Sequence, residues 1–233
     1  MDFAPYFSAR YIDSAVGGAT MQPAYALRYS IYCKELHFLD AAAYPDELET
    51  DAHDAQSAHF CAYNLKQELA GYVRLVAGDG EGRFPWQNYC TDVFEDVVLP
   101  PHHESAEISR LMVRADYRRR RNDLLSGVAP PDAPIPESAE RRTNRPQILL
   151  TLYRQMYKHS LIHGTRYWYA AMEQLLARSL QLMSFPFKKM GRETDYFGPV
   201  APYLIDLREL EQRLEQTHPA FLAWLQEPDQ SER

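Results

Sequence analysis

The stretch AEISRLMV, residues 106–113, reads as an interior β-strand: isoleucine, leucine, methionine and valine, with a β-branched residue near each end. Glu107 and Arg110 sit inside it, where a charge is costly unless paired. In a regular strand these two residues point to opposite faces, because their separation is odd. A β-bulge between them would bring both to one side, as members of a shared polar cluster.

The segments on either side of it complete a sheet. SAHFCAYNL (57–65) and LAGYVRLVAG (69–78) are strand-like, and the intervening KQE suits a hairpin turn. Before them, MQPAYALRYSIYCKELH (21–37) places Ala26, Leu27, Ile31, Tyr32 and Leu36 near helical spacing, and DAAAYPDELETDAHDAQ (40–56) is an acidic loop. Residues 79–105 are irregular, with two glycines and three prolines. After AEISRLMV, RPQILLTLYRQMYKHSLIHG (145–164) is an amphipathic helix with Pro146 in its first turn and Gly164 as its cap. TRYWYAAM (165–172) is an aromatic strand, EQLLARSLQLMSF (173–185) a helix, YLIDL (203–207) a closing strand and RELEQRLEQTHPAFLAWLQ (208–226) a last helix. This order predicts one α/β domain over 1–225, a mixed central sheet flanked by helices, with strand–helix–strand units crossing over right-handed. A proline-rich insertion is expected at about 122–145 and a flexible tail at 226–233.

Composition narrows the function. A net charge of −7 argues against a nucleic-acid binder, although RADYRRRR (114–121) and RRTNR (141–145) concentrate eight arginines. No stretch approaches the twenty apolar residues of a membrane span, and the N-terminus lacks the pattern of a signal peptide, so a cytoplasmic protein is expected. Cys33, Cys61 and Cys90 are odd in number and widely spaced, which predicts reduced, mostly buried thiols rather than a disulfide framework or zinc site. The acidic loop lacks the glycine and distal glutamate of a calcium loop, so no metal is expected. His102 and His103, in a PPHH loop, are expected to be exposed and without a role.

Four short motifs then occur in fixed order: Arg28 in the first helix, Glu49-x-Asp51-x-x-Asp54 in the acidic loop, Gly71-x-x-Arg74-Leu75 in a strand, and Glu107-x-Ser109-Arg110 in the next. Over roughly residues 20–207 the chain resembles the acyl-homoserine lactone synthases and the N-acyl amino acid synthases, branches of the GCN5-related N-acyltransferase (GNAT) fold that use acyl carrier protein. It most resembles the acyltransferases associated with PEP-CTERM/exosortase systems, which are similar to the N-acyl amino acid synthases through the second half too, where a helix and GPVAPYLIDL follow the aromatic strand. The run ADYRRRRND (115–123) departs from an ordinary acetyltransferase in lacking glycine where coenzyme A pyrophosphate would be cradled, and Val200 stands where a basic residue is expected.

The resemblance implies N-acyl transfer from the thioester of acyl carrier protein, or of coenzyme A, to the amine of an amino acid or similar small molecule. It implies no permanently bound cofactor, since phosphopantetheine arrives with the donor. Glu107 is expected to accept the amine proton, in a catalytic strand with Ser109 and Arg110. Glu107 and Arg110 are expected to cluster with Arg28, Asp51, Asp54 and Arg74. Arg114, Arg118, Arg119, Arg120 and Arg121 are expected to dock the acidic carrier protein or the phosphopantetheine phosphate. Met112, Trp168 and Tyr169 are expected to wall an acyl slot. An autoinducer synthase using S-adenosylmethionine, and a non-catalytic acyl-carrier or lipid-binding regulator, stand as alternatives. Acyl chain length, acceptor and oligomeric state are left open.

Overall fold

Strand β1 (Phe7–Ile12) opens the chain and pairs antiparallel with β2 (Ser57–Asn64), which turns through a hairpin into β3 (Leu69–Ala77). The computed structural model describes residues 3–13, 18–118 and 144–228, and the greater part of the proline-rich segment and the end of the expected tail lie outside these. Strand β4 (Ser105–Val113), which contains the quoted stretch, pairs antiparallel with β3 and parallel with β5 (Tyr167–Met172). Two short strands, β6 (Lys188–Lys189) and β7 (Thr194–Asp195), and the longer β8 (Pro199–Asp206) complete a sheet in the order β1-β2-β3-β4-β5-β8-β6, with β7 also on β8. Helices α1 (Gly18–Tyr29), α2 (Asn144–Ile162), α3 (Gln174–Leu182), α4 (Leu207–Thr217) and α5 (Pro219–Gln226) flank it.

Side-chain alternation explains the layers. Phe60, Ala62, Val73 and Leu75 share a core with Ile148, Leu152 and Met156 of α2. Their neighbours Cys61 and Tyr72 face the other way, onto Met21, Ala24 and Leu27 of α1. Helices cover both faces, so the interior of β3 is buried continuously instead of every second residue. Gly71 marks the closest approach of α2: a Cβ there would meet Ile148 Cγ2 at 2.7 Å and the Met112 carbonyl oxygen at 2.9 Å. All three cysteines are free and buried.

Three expectations change. β1 is an additional strand, placing the hairpin inside the sheet. Among the described residues only β4–α2–β5 joins parallel strands; β5 and β8 pair antiparallel, so the crossover rule does not apply to that connection. The last helix is two, because Pro219 lacks an N–H and starts α5 after α4 has ended at Thr217.

The bulge is present, and its position matters. Arg74 pairs with Ser109 and Tyr72 with Met112, so Arg110 and Leu111 together oppose Val73. The extra residue lies at Arg110 and Leu111, just beyond the interval expected from parity. Arg110 itself takes the left-handed conformation, with φ +55°. On the opposite edge, β4 pairs with β5 only from Ser105 to Glu107, and the two strands separate beyond that point.

Candidate active site

The bulge turns Arg110 toward the loop that follows α1. Its Nη2 donates to Glu49 Oε1 at 3.1 Å and Asp51 Oδ2 at 2.9 Å, and its guanidinium lies 4.8 Å from the centre of the Tyr32 ring. Arg74, on β3, donates from Nη1 to Asp51 Oδ1 at 2.7 Å and Asp54 Oδ1 at 2.5 Å, and from Nη2 to Asp51 Oδ2 at 2.7 Å. Arg28, on α1, bonds Glu49 through Nε and donates from Nη1 to Asp54 Oδ1 at 2.6 Å. Three acids thus meet three bases, and Arg28, Glu49 and Arg74 are essentially inaccessible to solvent.

Neutrality permits this much buried charge. Burial opposes ionisation of Asp51 and Asp54, yet the hydrogen bonds and charges of the neighbouring arginines outweigh it and hold both carboxyls below the usual range. The loop is also tied to itself: the Asp51 N–H donates to Asp54 Oδ2 at 2.8 Å and the His53 N–H to Asp51 Oδ1 at 2.9 Å. Ser109 Oγ accepts a long bond from Arg74 Nη2, at 3.4 Å.

Glu107 is not the third acid of this cluster; Glu49 is. Glu107 lies ahead of the bulge, at the last β4–β5 pair, and its Oε2 accepts the backbone N–H of Trp86 at 2.8 Å. No ion pair reaches it among the described residues. Burial pushes its carboxyl up to about 8, against the opposing pull of the Trp86 N–H and the Arg74 and Arg110 charges.

A cavity of about 620 Å³ occupies the gap where β4 and β5 part. The polar groups on its wall include Glu107, Ser109, Arg110, Arg74, Glu49 and Asp51, and Tyr153, Ala170, Met172 and Leu176 form an apolar part of it. Phe38 and Phe197, stacked at 4.9 Å, also line it. Among the described residues, no group of three or more histidine, cysteine, aspartate or glutamate side chains is arranged to hold a metal ion, and no helix is long and apolar enough to cross a membrane.

The three residues expected to wall an acyl slot lie elsewhere. Trp168 is buried in the α2-side core, its indole donating to Ser160 Oγ at 2.9 Å. Met112 faces α1. Tyr169 packs behind the cavity on Phe84 and Trp86. The two β5 aromatics are fixed in the paired part of their strand, and the cavity begins where pairing stops. Of the docking arginines, Arg118 is engaged by Glu35, with Nη1 donating to Oε1 at 2.6 Å, and Arg114 makes two 2.7 Å bonds to Asp116. These pairs form because each arginine has an acid within reach on the folded surface. Arg119, Arg120 and Arg121 lie outside the described residues.

Sequence reasoning places Glu49 in a motif but not in the cluster, and misses Trp86 and Tyr153. Glu49 was recoverable as the first member of its acidic motif; the others carry no spacing signal.

Residues 27–127 match the family model described as acetyltransferase (GNAT) domain. No curated protein is significantly similar in sequence. Among solved structures, the CoA-dependent acyl-homoserine lactone synthase BjaI, with SAM and isopentyl-CoA, superposes with a TM-score of 0.62 at 17% identity, over 93% of this chain and 89% of that one. TofI, in a ternary complex with an inhibitor and MTA, gives 0.62 at 13% identity, over 92% and 99%. FeeM, an N-acyl amino acid synthase from uncultured soil microbes, gives 0.54 at 12% identity, over 93% and 99%. Residues 27–127 thus match a GNAT acetyltransferase domain, and the chain shares the fold of the solved acyl-homoserine lactone synthases.

Proposed function

We propose that the enzyme transfers a fatty acyl group from a carrier-bound thioester to the amine of an amino acid or similar small molecule. The observation that carries this reading is the parting of β4 and β5 immediately after Glu107. The gap leaves the β5-facing backbone N–H groups of β4 beyond Glu107 without a strand partner among the described residues, beside an acid whose affinity for protons is raised. These N–H groups supply hydrogen bonds to a developing oxyanion. Glu107, in its ionised form, removes a proton from the incoming ammonium. The neutral amine attacks the thioester carbonyl carbon, a C–N bond forms, the C–S bond breaks, and the second amine proton leaves with the thiol. A carboxyl near 8 is much closer to an amine in proton affinity than an ordinary glutamate.

Acyl carrier protein is the favoured donor, because the glycine-free arginine run after β4 suits one phosphodiester and an acidic partner better than a pyrophosphate. Arg119, Arg120 and Arg121 remain in this proposal as docking residues on charge alone. The acyl chain is placed against Tyr153, Ala170, Met172 and Leu176. Affiliation with the exosortase-associated acyltransferases rests on the motif order and the GPVAPYLIDL ending.

Mass spectrometry of lipid extracts from cells overproducing the enzyme tests the reading, with Glu107→Gln alongside. N-acyl amino acids made only by the wild type are expected. Acyl-homoserine lactones instead would move the assignment to the autoinducer synthases. Carrier-protein binding with no acylated product from either protein would make the chain a binding module.

A further inference from the structure

At the other end of β4 a second cavity, of about 330 Å³, opens on the α2 face of the sheet and shares no lining residue with the first. Four of the chain's eight histidines line it: His102 and His103 from the turn before β4, and His159 and His163 from the end of α2. The other four are all bonded through a ring nitrogen, His37 to the Cys33 carbonyl, His53 to Gln56, His59 to Tyr72 and the Asp54 carbonyl, and His218 to Thr217. The four around the cavity make no such bond among the described residues; His103 Nε2 comes only within 4.0 Å of Glu104 Oε1. His159 is half-buried, yet neither of its ring nitrogens is sealed from solvent. Imidazole nitrogens that the protein leaves unused, gathered on one cavity, are a set of donors for a ligand.

We propose that His159 and His163 together bind a divalent transition metal ion, Cu²⁺, Ni²⁺ or Zn²⁺, with water completing its coordination. Their spacing of four residues places both side chains on one face of α2, one turn apart. The two ring centres are 4.1 Å apart. Two imidazoles on one tetrahedral ion, with metal–nitrogen bonds of about 2 Å, hold their ring centres about 5 Å apart. The difference of about 1 Å is a small rotation of the exposed His163, while Tyr11 and Phe60 hold the His159 ring from 4.8 and 5.4 Å. Three features select a cation. Among the described residues the wall carries no arginine or lysine to hold an anion. The pair stands at the C-terminal end of α2, where the helix dipole favours positive charge. Burial, with His163 beside it, pushes the His159 imidazole down to about 4, so at neutral pH it has the unprotonated form a metal requires. His102 and His103 share the cavity, but no three side chains converge among the described residues, so the pair alone forms the site. Imidazole suits copper, nickel and zinc better than magnesium or calcium. This site stands apart from acyl transfer and does not rest on that reading.

Untagged protein is titrated calorimetrically with copper(II), nickel(II) and zinc chlorides, beside His163→Ala and, as a control on a histidine elsewhere, His218→Ala. One ion per chain is expected, with affinity lowered roughly tenfold or more in His163→Ala and unchanged in His218→Ala. His163 is exposed, so its replacement leaves the fold intact, and metal-free melts of wild type and variant are expected to coincide. His159→Gln, which removes the other ligand, is expected to show the same loss of affinity. Zinc at a hundred times its Kd is expected to raise the melting temperature by roughly 5 °C in wild type and His218→Ala, and not in His163→Ala. Absence of binding by all three metals overturns the assignment. So does binding that survives His163→Ala and His159→Gln undiminished, or an equal loss in His218→Ala.

Discussion

Replacing Glu107 with glutamine separates the two consequences of burying that acid. Glutamine has the same shape and still offers an oxygen to the Trp86 N–H. The wild-type carboxyl is raised from 4.5 to about 8. Below the lower value both folded and unfolded chains hold the proton, and the site is neutral to stability. Between the two values the unfolded chain releases the proton and the native one retains it, so stability falls as pH rises through this window. Above about 8 both states are ionised and the penalty is complete. At about 1.4 kcal/mol per pH unit, the ceiling is roughly 5 kcal/mol at high pH and about 3 kcal/mol at pH 7. Glutamine removes that penalty, so the variant is expected to melt roughly 5–10 °C higher near pH 7.5 and to match the wild type near pH 4.5. Its acyl-transfer rate is expected to fall ~10²–10⁴-fold, and the rise in wild-type rate toward pH 8 is expected to vanish. Thermal melts across this pH range, with thiol release measured in parallel, provide the assay. A melting difference that is absent, or that does not grow with pH, would show that Glu107 is ionised in the native state. An unchanged rate would remove it from the chemistry.

Other perturbations address the scaffold. Arg28→Met takes one of two cations from each of Glu49 and Asp54 and leaves the buried cluster one negative charge in excess, which is expected to cost about 3–5 kcal/mol in urea unfolding. Adding Glu49→Gln is expected to recover part of the loss, and additive losses would argue against a coupled cluster. At φ +55°, Arg110→Gly is expected to unfold less readily than Arg110→Ala by about 1 kcal/mol, although both lose the same ion pairs. Gly71→Ala is expected to destabilise by about 1–3 kcal/mol, because its Cβ meets Ile148 and the Met112 carbonyl. Leu176→Trp, which adds volume to the apolar part of the cavity, is expected to shorten the acyl chains found by product mass spectrometry, and an unchanged chain distribution would place the acyl group elsewhere.

Much of the sheet was legible, for identifiable reasons. The hairpin of 57–78 and the helix at 145–164 carry long periodic patterns and their own turn or cap residues. β1 was not, because FSARYI buries Phe7, Ala9 and Ile12, which is too short and too uneven to read as alternation. The site divides the same way. Charge in an apolar strand announced both a cluster and a bulge, since an odd spacing with a shared environment has few solutions. Which acid joined the cluster was not legible: Glu49 and Glu107 are the same residue type, and only the fold brings Glu49 to Arg28 and leaves Glu107 against a backbone N–H. Trp168 and Tyr169 fall off the cavity wall because aromatic residues in a strand report burial and do not distinguish the paired half of β5 from the half, Ala170 to Met172, that faces the cavity.

The substitution of Glu49 for Glu107 in the cluster has a chemical consequence. Had Glu107 joined Arg28, Arg74 and Arg110, the arginines would have held its carboxyl low, as they hold Asp51 and Asp54. A carboxylate so stabilised is a poor acceptor for an ammonium proton. With Glu49 as the third acid, the cluster is neutral without help from Glu107. Arg74 and Arg110 still act on Glu107 through space, yet burial prevails and keeps its proton affinity high. The bulge makes this separation possible within one strand. It turns Arg110 into the ionic cluster, three residues beyond an acid that remains in the cavity with a single hydrogen bond to the backbone. The pairing that AEISRLMV suggests is therefore the arrangement that would have held the Glu107 carboxyl low, and the strand is built to avoid it.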